Sequence, residues 1–208
     1  MSAPSTTAER SPELADATQS ADAGATVWFT GLPSAGKSTI AHAVADRLVT
    51  AGQRVQVLDG DAVRPYLSGD LGFSKQARDT NVARIGWVAR LLASHGVLVL
   101  VPVIAPYAAA RDAVRRAHAE LGLSFAEVYV STSLAVAEGR DVKGLYAKAR
   151  RGEITGLTGL DDPYEPPARP ELVLDTERLD LASSVRLTLD ELSRLLGRPL
   201  DPTAGRER

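Results

Sequence analysis

Cysteine is absent from this chain of 208 residues, so disulfide frameworks, thiolate nucleophiles and cysteine-ligated zinc are excluded. Long apolar runs are missing too, and none approaches the roughly 20 residues that a membrane-crossing helix needs. Neither sign of charge dominates. A formal charge of -2 offers no general basic surface for nucleic acid, so any recognition of anions must be local. The three histidines, His42, His95 and His118, are scattered, which fits structural or surface roles better than a metal or catalytic cluster. Lysine occurs only at positions 37, 75, 143 and 148, and that scarcity makes the position of each one informative.

Residues 1 to about 24 carry no basic start followed by an apolar core, so they read as a disordered tail and not as an export signal. Pro199 and Pro202 mark residues 199–208 as a second short tail. Between the two lies one expected domain, 25–198, of ordinary globular composition, 44% apolar and 24% charged. A cytoplasmic location follows as the default.

What is present is Gly31-Leu32-Pro33-Ser34-Ala35-Gly36-Lys37-Ser38, a complete G-x-x-x-x-G-K-[ST] phosphate loop, with Thr39 following. The spacing has a mechanical reason: glycines let the backbone wrap a phosphate, the lysine reaches the β- and γ-phosphates, and the serine hydroxyl ligates Mg²⁺. Context agrees with it. Thr26 to Thr30 is β-branched and aromatic, and Ser38 to Val49 has apolar residues at helical spacing. Strand, loop and helix in that order aim a helix N-terminus at an anion.

Further strands are predicted at 54–58, 97–103, 125–130 and 171–175, separated by helices at roughly 77–95, 111–121 and 134–140, with a last helix at 181–196. The almost unbroken apolar run Val97 to Val103 is the mark of a strand buried on both faces. The chain is therefore expected to be an α/β protein, a parallel sheet of about five strands with helices on both faces. Ligands in such sheets sit beyond the C-terminal strand ends. The segment 141–170 has neither period and is crowded with Gly, Pro and charge, including Lys143, Lys148, Arg150 and Arg151. It reads as a lid loop that closes positive charge over phosphates.

Asp59 and Asp61 lie at the end of the second strand. Two carboxylates beside a triphosphate site can divide labour, one ordering the metal's waters and the other accepting the proton of an attacking hydroxyl. Asp61 is the candidate base and Asp59 the candidate metal group, with the roles exchangeable on spacing alone. Arg64, Arg78, Asn81 and Arg84 follow. Arg78 and Asn81 are three apart, on one helix face, where both can reach one ligand, and a guanidinium fork suits phosphate or sulfate oxygens.

These residues together resemble the adenylylsulfate kinase family of P-loop kinases. The resemblance runs through Gly31 to Thr39, Asp59 to Arg64, Leu71-Gly72-Phe73-Ser74, Arg78, Asn81, Arg84-Ile85-Gly86, Pro106-Tyr107, Arg140 to Tyr146, and Thr158 to Glu165. It implies a P-loop kinase fold, ATP and Mg²⁺, transfer of the γ-phosphoryl to the 3′-hydroxyl of adenosine 5′-phosphosulfate, and a homodimer. By the same resemblance Arg140 lies over the adenine of ATP, and Lys37 with residues 31–39 holds its phosphates. Ser38 and Asp59 serve the metal. Arg64, Arg78 and Asn81 hold the phosphosulfate substrate, Phe73 stacks on its adenine opposite Leu157, and the Ile104 backbone and Lys143 complete the site. The chain departs from the family at Ala105, Ala108 and Leu157, where serine, arginine and phenylalanine are common. Ala105 has no hydroxyl to phosphorylate, which leaves direct in-line transfer. A kinase of another hydroxyl, or a nucleotide-binding module without catalysis, are the competing readings.

Overall fold

β1 (Ala25–Thr30) is buried at all six positions, which only a strand in the middle of a covered sheet can be. It pairs in parallel with β3 (Leu98–Pro102) on one side and β4 (Ser124–Ser131) on the other. β2 (Val55–Val57) adds outside β3, and β5 (Leu172–Asp175) outside β4, giving the all-parallel order β2-β3-β1-β4-β5. The chain leaves β1 toward one half of the sheet and later returns to build the other, so a crevice opens at the C-terminal end of β1. The computed structural model describes residues 24–200. The tails expected at either end lie outside the described residues as far as residue 23 and from residue 201. Leu200, assigned to the second tail, is buried in the core.

The helices are α1 (Lys37–Thr50), α2 (Gly60–Leu67), α3 (Lys75–Ser94), α4 (Ala108–Ala119), α5 (Leu134–Arg140), α6 (Leu145–Arg150) and α7 (Leu181–Leu196). Alternating β and α segments put them on both faces, as the pattern predicts. α1 and α7 cover one face with Ile40, Val44, Leu48, Leu189 and Leu192 against Val27, Phe29, Leu98 and Leu100. α3 and α4 cover the other, where Val82, Ile85, Ala89 and Val114 pack on Trp28, Val99 and Val101. Gly86 allows that pair of helices its close approach, since a Cβ there would lie 2.6 Å from Val114 Cγ2. Side-chain caps set the helix starts: Ser74 accepts from the Ala77 amide, Ser133 from Val136 and Asp180 from Ser183.

Two elements were not legible from periodicity: α2, eight residues with Pro65 inside it, and α6. α6 is only six residues, Leu-Tyr-Ala-Lys-Ala-Arg, inside the segment expected to be a loop. Too short to show a helical repeat, it is set off by Gly144 at a left-handed φ of 65°. No helix among the described residues is long and apolar enough to cross a membrane.

Candidate active site

Gly31 and Gly36 both sit at φ values that other residues avoid, 152° and 103°. A Cβ at Gly31 would fall 2.4 Å from the Val130 carbonyl oxygen, so the turn out of β1 is closed to any side chain. Gly36 starts α1 without a side-chain cap, which leaves the first amides of the helix free for an anion. Lys37 is buried. Its Nζ donates to the carbonyls of Gly31 (2.9 Å) and Leu32 (2.7 Å). Burial first, then Lys143, push its pKa down to about 7 against the opposing pull of Asp59.

Ser38 Oγ donates to Asp59 Oδ2 at 2.5 Å, and Asp59 Oδ1 accepts from the Asp61 amide at 3.0 Å, capping α2. The two carboxylates thereby have different surroundings: Asp59 faces the phosphate-loop serine, while Asp61 stands on the cavity wall and pairs with Lys143. A hydroxyl and one carboxylate, hard oxygens side by side, fit the sparse protein coordination that Mg²⁺ takes when phosphates and water supply the rest. No group of three or more acidic, histidine or cysteine side chains placed to hold a metal occurs among the described residues.

A cavity of about 260 Å³ lies between the phosphate loop and a second wall. Lys37, Ser38 and Thr39 line the first side, and Asp61, Arg64, Phe73, Arg78, Asn81, Ile104 and Lys143 the second. Arg64 donates to the carbonyls of Leu71 (2.9 Å) and Gly72 (2.7 Å) and lies 4.4 Å from the Phe73 ring centre. Burial first, and then the neighbouring Arg78, hold its pKa below the usual arginine value. Phe73 is 64% exposed, leaving a ring face free for stacking. Asn81 Oδ1 is buried with no hydrogen-bond partner. A buried acceptor at a cavity wall lacks a donor that a ligand can supply.

Arg78 anchors the segment above the cavity. It donates to the Phe73 carbonyl (2.9 Å), Thr158 Oγ1 (3.1 Å) and the Gly156 carbonyl (2.5 Å), and lies 3.5 Å from Asp162. That segment, expected as a structureless lid, has a small core of its own: Ala137, Tyr146 and Leu157, backed by Leu32, Leu134, Leu145, Ala149 and Leu160. Tyr146 donates to the Pro33 carbonyl at 3.1 Å. Three further groups of expected residues lie apart from the cavity lining. Leu157 is buried in this core and is not part of the cavity lining, because an aliphatic side chain joins the cluster under α6. Arg150 pairs with Glu138 and Arg151 with Glu153, exposed, so of the lid's cations only Lys143 reaches the cavity. Arg140 donates to Thr176 Oγ1 (2.9 Å), the Thr176 carbonyl (2.7 Å) and the Ala35 carbonyl of the phosphate loop (3.5 Å), beside that loop and apart from the cavity lining.

A buttress stands behind the second wall, built from Thr30, Tyr107, Arg111, Glu127, Asp162, Tyr164 and Glu165. Tyr107 and residues 162–165 belong to motifs of the family resemblance without a role attached, and Glu127, a carboxylate in the otherwise apolar strand 125–130, is a further signal, since burial obliges it to find a partner. The histidines are structural or exposed. His118 Nδ1 donates to the Val114 carbonyl and Nε2 accepts from the Thr26 hydroxyl, both at 2.9 Å, and burial pulls its pKa down. His95 is the C-cap residue of α3, and His42 is exposed.

A phosphate loop at the C-terminal end of the central strand of a parallel sheet, facing a cationic wall across one cavity, defines a P-loop kinase. The model of the adenylylsulphate kinase family matches residues 23–175, and the chain belongs to that family. It is similar to a probable adenylyl-sulfate kinase of Synechocystis sp., with 54% identity over 162 residues, 78% of this chain and 89% of the relative. The adenylyl-sulfate kinase of Deinococcus deserti is 52% identical over 174 residues, 84% and 94% of the two chains. Among solved structures, the Mycobacterium tuberculosis APS kinase in complex with AMPPNP and APS superposes with a TM-score of 0.79 at 48% identity, covering 82% of this chain and 98% of that one.

Proposed function

We propose that this protein is an ATP-dependent adenylylsulfate kinase, transferring the γ-phosphoryl of ATP to the 3′-hydroxyl of adenosine 5′-phosphosulfate to give PAPS and ADP. One observation supports the reading above others: the phosphate loop and the Arg64, Arg78 and Asn81 wall share a single cavity, which suits a donor phosphate and an anionic acceptor side by side. Phosphoryl transfer depends mainly on positioning and charge stabilisation, and the residues divide accordingly. The α1 amides and Lys37 hold the β- and γ-phosphates, whose charge restores the proton that burial disfavours on Lys37. Ser38 and Asp59 are the residues that would hold Mg²⁺, which neutralises charge on the transferring group when bound. Arg64 and Arg78 bind the phosphosulfate, Phe73 stacks on its base, and Asn81 Oδ1 accepts a hydrogen bond from it. Asp61, held over the cavity by Lys143, accepts the proton of the attacking hydroxyl. Ala105 carries no hydroxyl, so transfer is direct. A cytoplasmic homodimer working in sulfate assimilation completes the proposal, on family resemblance.

The test is an assay of purified protein with ATP, Mg²⁺ and adenylylsulfate, with PAPS and ADP expected in equal amounts. ATP turnover on another nucleotide with no PAPS would establish a kinase of a different hydroxyl.

A further inference from the structure

Arg111 lies on α4 at 2% exposure and does not line the cavity. Its guanidinium joins three separate parts of the chain. Nε donates to Glu127 Oε1 on β4 (2.6 Å), Nη1 to the Ala105 carbonyl (2.7 Å) and Nη2 to the Glu165 carbonyl (2.7 Å). Only a planar fork with fixed donor directions can serve three acceptors so placed. Glu127 balances the charge and is steadied by Arg115, 3.4 Å away, which itself pairs with Glu171.

The two carbonyls belong to the two segments that shape the acceptor wall. Ala105 lines the cavity with Ile104 and Pro106, and its φ of 43° is a left-handed conformation that a non-glycine residue keeps only under constraint. Glu165 ends the arm that carries Asp162, which lies beside Arg78 and accepts from the Tyr107 hydroxyl. The arm returns further bonds to the same loop: the Glu165 amide donates to the Pro106 carbonyl (2.8 Å), and Glu165 Oε2 accepts from the Ala108 amide (2.7 Å). Tyr164 donates to Thr30 Oγ1 (3.0 Å), whose own hydrogen goes to the Ile104 carbonyl (2.6 Å). Arg111 is thus the buried centre of a staple between loop 104–106 and arm 162–165. None of its hydrogen bonds goes to the phosphate loop.

We infer that Arg111 is a positioning residue for the acceptor substrate: it holds the strained loop and the lid arm as one unit, so that the acceptor wall is assembled only when the arm is in place. The inference rests on the kinase reaction proposed above, and it separates the two substrates. Displacing this wall by a fraction of an ångström weakens adenylylsulfate binding and leaves ATP binding nearly as it was.

The experiment measures KM for each substrate, and Tm, in the full-length protein and in Arg111→Lys and Arg111→Met/Glu127→Gln. The lysine variant keeps a cation beside Glu127 but loses the fork; the double variant leaves neither ionic partner stranded. In both, KM for adenylylsulfate is expected to rise about tenfold or more while KM for ATP stays within about threefold, with the double variant folded and its Tm lower, since the Ala105 and Glu165 carbonyls lose their donors. A KM for adenylylsulfate unchanged in either folded variant, or both KM values raised in equal proportion, overturns the positioning role. Unaltered protein that forms no PAPS overturns the kinase reading, and this role with it.

Discussion

The two walls of the cavity are made in opposite ways. On the phosphate-loop side the lining comes from neighbours in the chain, residues 33–39, and the recognising groups are largely backbone amides fixed by glycine conformations. On the facing side it comes from residues scattered between 60 and 145, and the recognising groups are side chains held by long-range bonds such as Arg78 to Gly156. A backbone wall recognises what all triphosphates share. A side-chain wall distinguishes one acceptor from another, and it can be altered residue by residue without disturbing the first.

The largest expected effect sets the chemistry apart from both walls. Asp61→Asn should lower kcat by about 10²–10⁴-fold and leave KM for ATP within about threefold, in steady-state PAPS formation. Unchanged turnover would reassign the base to Asp59. Next comes a proton count on the backbone wall. Lys37 in the ligand-free protein is held near 7, far below an ordinary lysine, whose value is 10.5. Bound phosphates favour its charged form, so nucleotide binding should take up close to one proton at about pH 8.5, falling away well below pH 7, where Lys37 already holds it. Calorimetry in buffers of different ionisation enthalpy reads this uptake, and equal enthalpies in all buffers would mean that Lys37 is charged before nucleotide arrives. The smallest effect sharpens the side-chain wall. Ala105→Gly relieves a left-handed alanine at the cost of unfolded-state entropy and of one buried methyl, so stability in urea unfolding should change by less than about 0.5 kcal/mol. A loss of about 1.5 kcal/mol or more, the full cost of methyl and entropy, would mean that φ at 105 carries no strain.

The same contrast decides what was legible in the sequence. The phosphate loop, the five parallel strands and the amphipathic helices follow from local patterns, glycine spacing and apolar periodicity, and they were read with errors of a few residues at the ends. Asp59 and Asp61 were legible as a pair, but the difference in their surroundings was not. It depends on Ser38 and Lys143 arriving from 21 residues before the first and 82 after the second. Leu157 and Arg140 were placed by motif alone, and the motif does not say that one packs in the Tyr146 cluster and the other bonds Thr176 beside the phosphate loop. Arg111 has no local signal at all, because its meaning lies in three partners 6, 16 and 54 residues away.

Gly159 has a bearing on how such enzymes can be recombined. At a φ of 93°, with Leu32 Cδ2 2.6 Å from where its Cβ would stand, it seats the lid directly on a phosphate-loop side chain. Lid and loop are therefore not interchangeable parts. A chimera that takes residues 141–165 from another P-loop kinase would have to bring that kinase's own residue at position 32, and the useful crossover points lie outside this contact.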